Sequence, residues 1–543
     1  MTGRPQQAGA ALAALAQRRP GLAAILLGLL GACAYPPLHL WPLGLAALAG
    51  FAWLVHTAPT WRSAAWRGWL FGWAHLSLAN NWIATAFTHQ AKMPEALGWA
   101  AVPLLCVYLA VYPALAALAA HLLARRRPLW AFGLVLAGAW TVTEWLRGWV
   151  FTGYPWPPVG LMLLGGWERP GLATFLPWLG TYAFSGLTVL IAALILDSAL
   201  RRNWAGVVLP VAYLVFAMSV MSAPPAPDSP RRYTLVQPYL PQAELNDPSK
   251  YEEQFARLAR LTAPGRDQSR IVLWPESAIP DLLEDGYPAP YYDDATAEGD
   301  PVFARRRIGM VIGPRSTLLT GVVNLNFKER PGRIPELVSA RNSVMGLDGA
   351  GRIVAGYDKA HLVPYGEYLP MRPLLEPLGL QRLVAGSIDY VPGPGPRTLD
   401  LGAQGKVGVQ ICYEIVFPGE VTTIANRPDY LFNPSNDGWF GAWGSPQFVG
   451  QARMRAIEEG LPVIRSTTTG ISVVIDAGGV VREAIGTGKA GSVSGLVPAA
   501  KPPTLFARFG NALALGWAGL FVILGLGQKW FGPRVLALPR PRG

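Results

Sequence analysis

The amino-acid sequence predicts an α-helical transmembrane bundle of eight spans, with one α/β domain inserted before the last span. Three observations carry that expectation. Of the 543 residues, 51% are hydrophobic, too many for an ordinary soluble enzyme of this length. Charge is divided by region: between Arg231 and Val497 there are 27 Lys and Arg against 29 Asp and Glu, whereas the remainder carries 19 basic and 5 acidic residues. A basic excess confined to the flanks of apolar segments marks membrane topology and argues against nucleic-acid binding by the polar part. Finally, the linker Ser222 to Pro230, rich in proline and small residues, separates two textures of sequence.

Seven apolar stretches precede Arg231: Pro20 to Tyr35, Leu38 to Val55, Ala64 to Phe87, Ala96 to Leu123, Leu129 to Val150, Gly171 to Leu200 and Ala205 to Met221. An eighth runs from Asn511 to Leu526. Arg18 and Arg19, Arg62 and Arg67, Arg125 to Arg127, and Arg201 and Arg202 fall in alternate loops, joined by Lys529, Arg534, Arg540 and Arg542. Because Lys and Arg collect in cytoplasmic loops, both termini are expected in the cytoplasm of a bacterium and the polar domain in its periplasm. Leu30-Gly31-Ala32-Cys33 also has the form of a lipoprotein signal, but cleavage there would leave the polar domain on the arginine-rich side. The expected divisions are 1–222 for the seven-span bundle, 231–497 for the polar domain, and 505–543 for the last span with a cytoplasmic tail. Inside the spans, Asn80, Asn81, Glu144 and Arg147 are costly in lipid unless they face protein or water, and Glu144 and Arg147 are spaced to pair on a helix. Structural roles are expected of them.

After the linker, short β-rich runs appear at Tyr233 to Gln237, Arg270 to Trp274, Leu318 to Asn324, Ser343 to Leu347, Val407 to Ile411, Pro462 to Ser466 and Ile471 to Ile475. Helical patterns at Tyr251 to Leu261 and Gln447 to Glu459 alternate with them, so a mixed α/β domain is expected. The stretch Pro392 to Pro396 is a turn-rich loop.

Cysteine usage then narrows the chemistry. Cys33 and Cys106 lie within expected spans, which leaves Cys412 alone in the polar domain without a disulfide partner. A free cysteine is most often a small buried hydrophobe. Cys412, however, follows the apolar run Val407 to Ile411 and precedes Tyr413 and Glu414, where a buried strand ends and a site can open. A nucleophilic thiol needs a base or cation, and the domain has one histidine, His361. Glu276, in Leu273-Trp274-Pro275-Glu276-Ser277, and Lys359, in Tyr357-Asp358-Lys359-Ala360-His361, offer another arrangement, although each alone is ordinarily a solvated surface residue.

These three contexts together resemble the nitrilase superfamily, which implies an αββα sandwich and a catalytic set of glutamate, lysine and cysteine. The resemblance narrows further. Tyr357 through Pro370, Cys412-Tyr413-Glu414, Asn436-Asp437-Gly438-Trp439-Phe440-Gly441 and Ala452 through Glu458 are similar to the apolipoprotein N-acyltransferase family, as are Glu144 through Gly148 and Phe151 through Trp156. It extends over nearly the whole chain. The resemblance implies Cys412 as nucleophile, Glu276 as general base and Lys359 as the cation supporting a tetrahedral intermediate, with Glu367, Tyr413 and Glu414 at further positions that matter in the family. The apolar stretch Leu362 to Leu380 and the cluster of Trp439, Phe440 and Trp443 are expected to line or cover a lipid route, or else to pack as ordinary core and loop, with Trp439 a supporting residue. One departure is Asn246, which stands where the family pattern has tryptophan.

The implied reaction moves a fatty acyl group from a phospholipid to the α-amine of a lipoprotein's S-diacylglyceryl-cysteine, by ping-pong transfer through a Cys412 thioester. A chain of about 16 carbons costs on the order of 13 kcal/mol to bring into water, which explains a membrane-embedded acyltransferase. A membrane-tethered hydrolase with the same three residues and a transporter with a periplasmic binding domain are the rival expectations. No metal-ligand cluster or phosphate-cradling glycine motif is present in the sequence, so neither metal nor cofactor is expected, and a monomer is expected.

Overall fold

The computed structural model describes residues 18–89, 96–378 and 388–527. Lys529, Arg534, Arg540 and Arg542 lie outside them, as do the last two residues of the apolar stretch Leu362 to Leu380.

Every apolar stretch expected from hydropathy carries a helix: α1 (Pro20–Ala32), α2 (Trp41–His56), α3 (Trp61–Ala79), α4 (Ala96–Leu109), α5 (Val111–Ala124), α6 (Leu129–Arg147), α7 (Leu176–Leu200) and α8 (Ala205–Ser219) before the linker, with α12 (Asn511–Leu526) after the inserted domain. Helix length and composition confirm only part of the expected span count. Among the described residues, only Ala96–Ala124, Leu129–Arg147 and Leu172–Leu200 are long and apolar enough to cross a membrane. Of the others, α1, α2, α8 and α12 are apolar but shorter, whereas α3 equals α6 in length and is less apolar. Pro36 and Pro37 follow α1, and α3 ends at Asn80, whose side-chain amide donates to the Leu76 carbonyl at 2.9 Å.

Small residues let these helices approach closely. A Cβ on Gly28 would meet the Phe71 carbonyl oxygen at 2.4 Å, and one on Gly138 would meet that of Ala518 at 2.6 Å, so α1 packs on α3 and α12 returns to α6. Their outer surface carries exposed Leu104, Leu122, Leu209 and Ile523, an apolar face suited to lipid.

The inserted domain is built on two six-stranded sheets, ordered β12-β1-β2-β3-β4-β5 and β11-β10-β9-β8-β7-β6. The strands are β1 (Asp228–Gln237), β2 (Ile271–Leu273), β3 (Thr317–Lys328), β4 (Glu336–Asp348), β5 (Ile353–Asp358), β6 (Thr398–Asp400), β7 (Lys406–Val409), β8 (Tyr430–Ser435), β9 (Val463–Thr467), β10 (Ser472–Ile475), β11 (Val481–Ile485) and β12 (Gly491–Pro498). In each sheet the three central strands run parallel, β1-β2-β3 and β7-β8-β9, and the outer pairings are antiparallel. Alternation sorts the first sheet's side chains: Leu235, Ile271, Leu273, Leu319 and Val344 enter the core between the sheets. Val236, Val272, Leu318 and Met345 point outward, against Phe255 and Leu258 of α9 (Tyr251–Thr262) and Ile308 and Ile312 of α10 (Pro301–Ile312). The second sheet is covered by α11 (Gly441–Glu459), whose Phe448, Val449, Ala452 and Ala456 join the inter-sheet cluster while Met454 and Ile457 join that of the membrane helices.

The seven runs read as strands coincide with β1 to β4, β7, β9 and β10, although β7 stops at Val409, before Ile411. β8 escaped notice because Pro434 interrupts it, yet every residue of it is buried.

Candidate active site

Parallel strands end on the same side of a sheet, and here the two sheets bring those ends face to face. Glu276 follows β2, Lys359 follows β5, and Cys412 follows β7. Two tight reversals present the groups. Cys412 has φ +51° and Ser277, next to Glu276, has φ +52°, a left-handed conformation that is strained for residues other than glycine. Gly321 of β3 makes room for the second reversal, since a Cβ there would lie 2.6 Å from the Glu276 Cα.

The three side chains meet out of water. Lys359 is 2% exposed and Cys412 6%. Lys359 Nζ lies 2.9 Å from Glu367 Oε2 and 3.9 Å from Glu276 Oε1. Asn342 of β4 ties the two carboxylates together, its Nδ2 donating to Glu276 Oε1 at 2.7 Å and to Glu367 Oε1 at 2.8 Å. The backbone N–H of Asn436 donates to Glu276 Oε2 at 2.7 Å. Burial by itself would lower the pKa of the Lys359 ammonium, but Glu367, then Glu276 and Cys412, outweigh it and hold the group above the usual lysine range. Burial pushes the Cys412 thiol well above its usual value, the Glu276 carboxylate adds to that, and Lys359 and Ser435 oppose it without prevailing. The sulfur is therefore held as a thiol, and any attack by it would need a base to take its proton. A neighbouring ammonium does not by itself supply a standing thiolate.

The accompanying residues divide by what they touch. Glu414 is a clamp: its Oε1 accepts from the Tyr357 hydroxyl at 2.8 Å and from the Ala360 and His361 N–H groups at 2.7 and 3.1 Å, and its Oε2 accepts from the Ile411 N–H at 2.7 Å. It thus locks the Lys359 loop onto the Cys412 turn. Burial raises its pKa to about 7, against the lowering effect of Lys359 and these donors. Tyr413 is buried and its hydroxyl reaches the Gly153 carbonyl of the membrane region at 3.4 Å. Glu367 also accepts from the Val363 N–H at 2.8 Å, which ties down the loop after Lys359. Trp439 is half-buried and stands edge-on to His89, 5.6 Å between ring centroids. Asn246 is exposed in a turn. His361 packs on Phe417 with centroids 3.7 Å apart, and burial lowers its pKa to about 4, so it is held neutral.

The polar residues within the apolar stretches serve this site from below. Arg147 donates to the carbonyls of Trp156 and Pro157 at 2.9 and 3.0 Å, Glu144 accepts from the Val159 N–H at 2.9 Å, and Asn80 Oδ1 accepts from the Tyr154 hydroxyl at 2.8 Å. They hold the segment between residues 152 and 159 whose Gly153 meets Tyr413.

Residues 27–194 match a family model described as the apolipoprotein N-acyltransferase N-terminal domain, and residues 235–497 match one described as carbon-nitrogen hydrolase. An apolipoprotein N-acyltransferase of Rhodopseudomonas palustris is 34% identical over 534 residues, covering 93% of this chain and 94% of its own. The chain belongs to the apolipoprotein N-acyltransferase family. Family members from Bradyrhizobium diazoefficiens and Caulobacter vibrioides are 34% and 33% identical, covering 94% and 91% of this chain and 95% and 91% of their own. The family's two-part organisation is thus present along one chain: an apolar helical region and a nitrilase-like α/β domain.

Within that family framework, Glu276, Lys359, Cys412, Glu367, Tyr413 and Glu414 all converge on one buried cluster, whereas Trp439 lies at its rim toward the membrane helices. Asn342, Ser435 and Arg465 also belong to the cluster and went unnoticed in the sequence. Each sits inside a strand, where a polar residue in an apolar run was the only available signal.

Proposed function

We propose that this chain is an apolipoprotein N-acyltransferase in which Cys412 attacks a phospholipid ester, with Glu276 taking the thiol proton and passing it to the departing lysophospholipid oxygen. The thioester carbonyl then accepts the α-amine of a diacylglyceryl-cysteine; the carbon–nitrogen bond forms, the carbon–sulfur bond breaks, and the amine proton returns through Glu276 to sulfur. Lys359 and the backbone N–H of Tyr413 stabilise the oxyanion in both halves, each such donor contributing about 3 kcal/mol. Glu367 and Glu414 position Lys359 and the Cys412 turn, and Trp439 borders the lipid route. Eight spans, both termini in the cytoplasm, the divisions at 1–222, 231–497 and 505–543, a periplasmic catalytic domain and a monomeric state complete the reading. It draws on the charge alternation of the loops, with shorter helices such as α1 completed by flanking turns.

The observation that carries the proposal is the gathering of a buried thiol, ammonium and carboxylate within reach of a segment contributed by the membrane helices. Purified protein incubated with acyl-labelled phospholipid and a diacylglyceryl-cysteine peptide is expected to label the peptide. Label recovered only as free fatty acid would assign water as the acceptor and a hydrolase instead. Cys412→Ala is expected to abolish the acyl-enzyme while leaving the thermal unfolding of the protein unchanged within a few degrees.

A further inference from the structure

Beneath the nucleophile lies a second polar chain that the three-residue scheme does not use. Ser435 Oγ is 3.3 Å from Cys412 Sγ and 2.9 Å from Asp437 Oδ1. Its hydroxyl has one proton, so it donates to only one of them at a time. Asp437 Oδ1 is held in turn by the guanidinium of Arg465, which is fully buried over the Phe448 ring. The other arm of Arg465 grips Asn433 Oδ1, and Asn433 Nδ2 donates to the Cys412 carbonyl at 3.2 Å. One guanidinium therefore governs the nucleophile twice, through its backbone and through its sulfur. Asp437 Oδ2 is buried and has no hydrogen-bond partner among the described residues, and a Cβ on Gly470 would lie 2.1 Å from it. The carboxylate is thus aimed by Ser435 and Arg465 with little freedom to turn.

We propose that Ser435 is a further catalytic residue, whose hydroxyl proton switches between Asp437 and the Cys412 sulfur as that sulfur gains and loses negative charge, and that Asp437 and Arg465 are positioning residues for it. In the resting enzyme the thiol proton points to Ser435 Oγ and the hydroxyl donates to Asp437. As Glu276 removes the thiol proton, the hydroxyl rotates to donate to the sulfur, and it returns to Asp437 once the carbon–sulfur bond has formed. When the amine displaces the thioester, the same donor meets the departing thiolate until the proton arrives through Glu276. No atom is exchanged by Ser435, so both half-reactions balance as written above. The inference rests on Cys412 being the nucleophile.

The test compares wild type, Ser435→Ala and Asp437→Asn in detergent, using acyl-labelled phospholipid in single-turnover acylation read by intact-protein mass, and then release to the diacylglyceryl-cysteine peptide. S435A is expected to slow both acylation and release about 10- to 100-fold, the loss of one hydrogen bond to a charged group, with half-saturating phospholipid unchanged. Alkylation of Cys412 by iodoacetamide at fixed pH, which reads the thiolate directly, is expected to slow about 10-fold in S435A and to quicken in D437N, where a negative charge is lost and the hydroxyl is free to turn to the sulfur. Wild-type rates in S435A, or slower transfer with unchanged alkylation, overturn the proposal. If wild type itself carries no adduct on Cys412, the nucleophile assignment fails; an adduct on wild type with S435A indistinguishable sinks only the role of Ser435. Should S435A not fold, the isosteric pair Ser435→Thr and Ser435→Val isolates the hydroxyl: the threonine variant is expected to be the faster, and equal rates overturn the proposal.

Discussion

The two outer faces of the sandwich are covered by helices of opposite character. On the first sheet, α9 and α10 bury Phe255, Leu258, Ile308 and Ile312 and turn Glu252, Glu253 and Arg306 outward, as an amphipathic helix facing water does. On the second sheet, α11 is buried from Gly444 through Glu459 except at Pro446, charges included. Arg455 Nε lies 2.8 Å from Glu458 Oε2, and Thr181 of α7 donates to Glu458 Oε1 at 2.6 Å. Arg453 donates to the carbonyls of Gly165, Gly166 and Arg169 in the membrane region at 2.7 to 2.8 Å. Gln447 receives the Trp156 indole N–H at 2.7 Å and donates to the Ala79 carbonyl at 3.0 Å. The difference teaches that polar residues on a helix mark either water or a partner that supplies matching groups. Here the partner is the membrane bundle, joined to the catalytic sheet through α11.

Four measurements break or sharpen that contrast. Arg455→Ala leaves Glu458 charged and unpaired inside protein and is expected to cost about 3–5 kcal/mol, read as a large fall in the unfolding midpoint in detergent together with faster proteolysis between the two regions. Ile308→Ala, on the water-facing side, is expected to cost about 3 kcal/mol by leaving a cavity under α10, with docking to the membrane region unaffected. The pH profile supplies the third. Burial raises the pKa of Glu459 to about 7, with Glu458 adding to it and Thr422, Arg455 and Arg427 opposing. Between the unfolded carboxyl value of about 4.3 and 7, the folded protein holds the extra proton, so stability falls as pH rises through that window. Glu459→Gln is expected to flatten this fall, and a slope identical to wild type would contradict the shift. The smallest effect belongs to Glu252→Ala, which removes only the exposed partner of Arg307 and is expected to cost about 0–1 kcal/mol. A loss as large as that of Arg455→Ala would erase the distinction between the faces.

Much of the candidate site was legible because its residues stand in local signals. Cys412 and Glu276 each end an apolar run, and the long motifs around them and Lys359 carried the family resemblance. The supporting residues were hidden for a physical reason. Asn342, Ser435 and Arg465 are single polar positions inside strands, and nothing local says whether such a side chain faces a core, a site or water. Hydropathy likewise marked eight stretches but not the lengths of their helices, since it measures how apolar a stretch is and not where prolines such as Pro36 and Pro37 end its helix.

Hydrophobic runs, charge placement and chain order were enough to divide this molecule into an apolar helical part and an α/β part and to mark one thiol for attention, because periodicity and composition act over neighbouring residues. What covers α11, how the Gly153 segment comes to meet Tyr413, and which hydroxyl lies against the sulfur depend on groups tens to hundreds of residues apart. Those contacts exist only once both sheets and the bundle have packed, when burial makes each unpaired polar group costly and each matched pair specific.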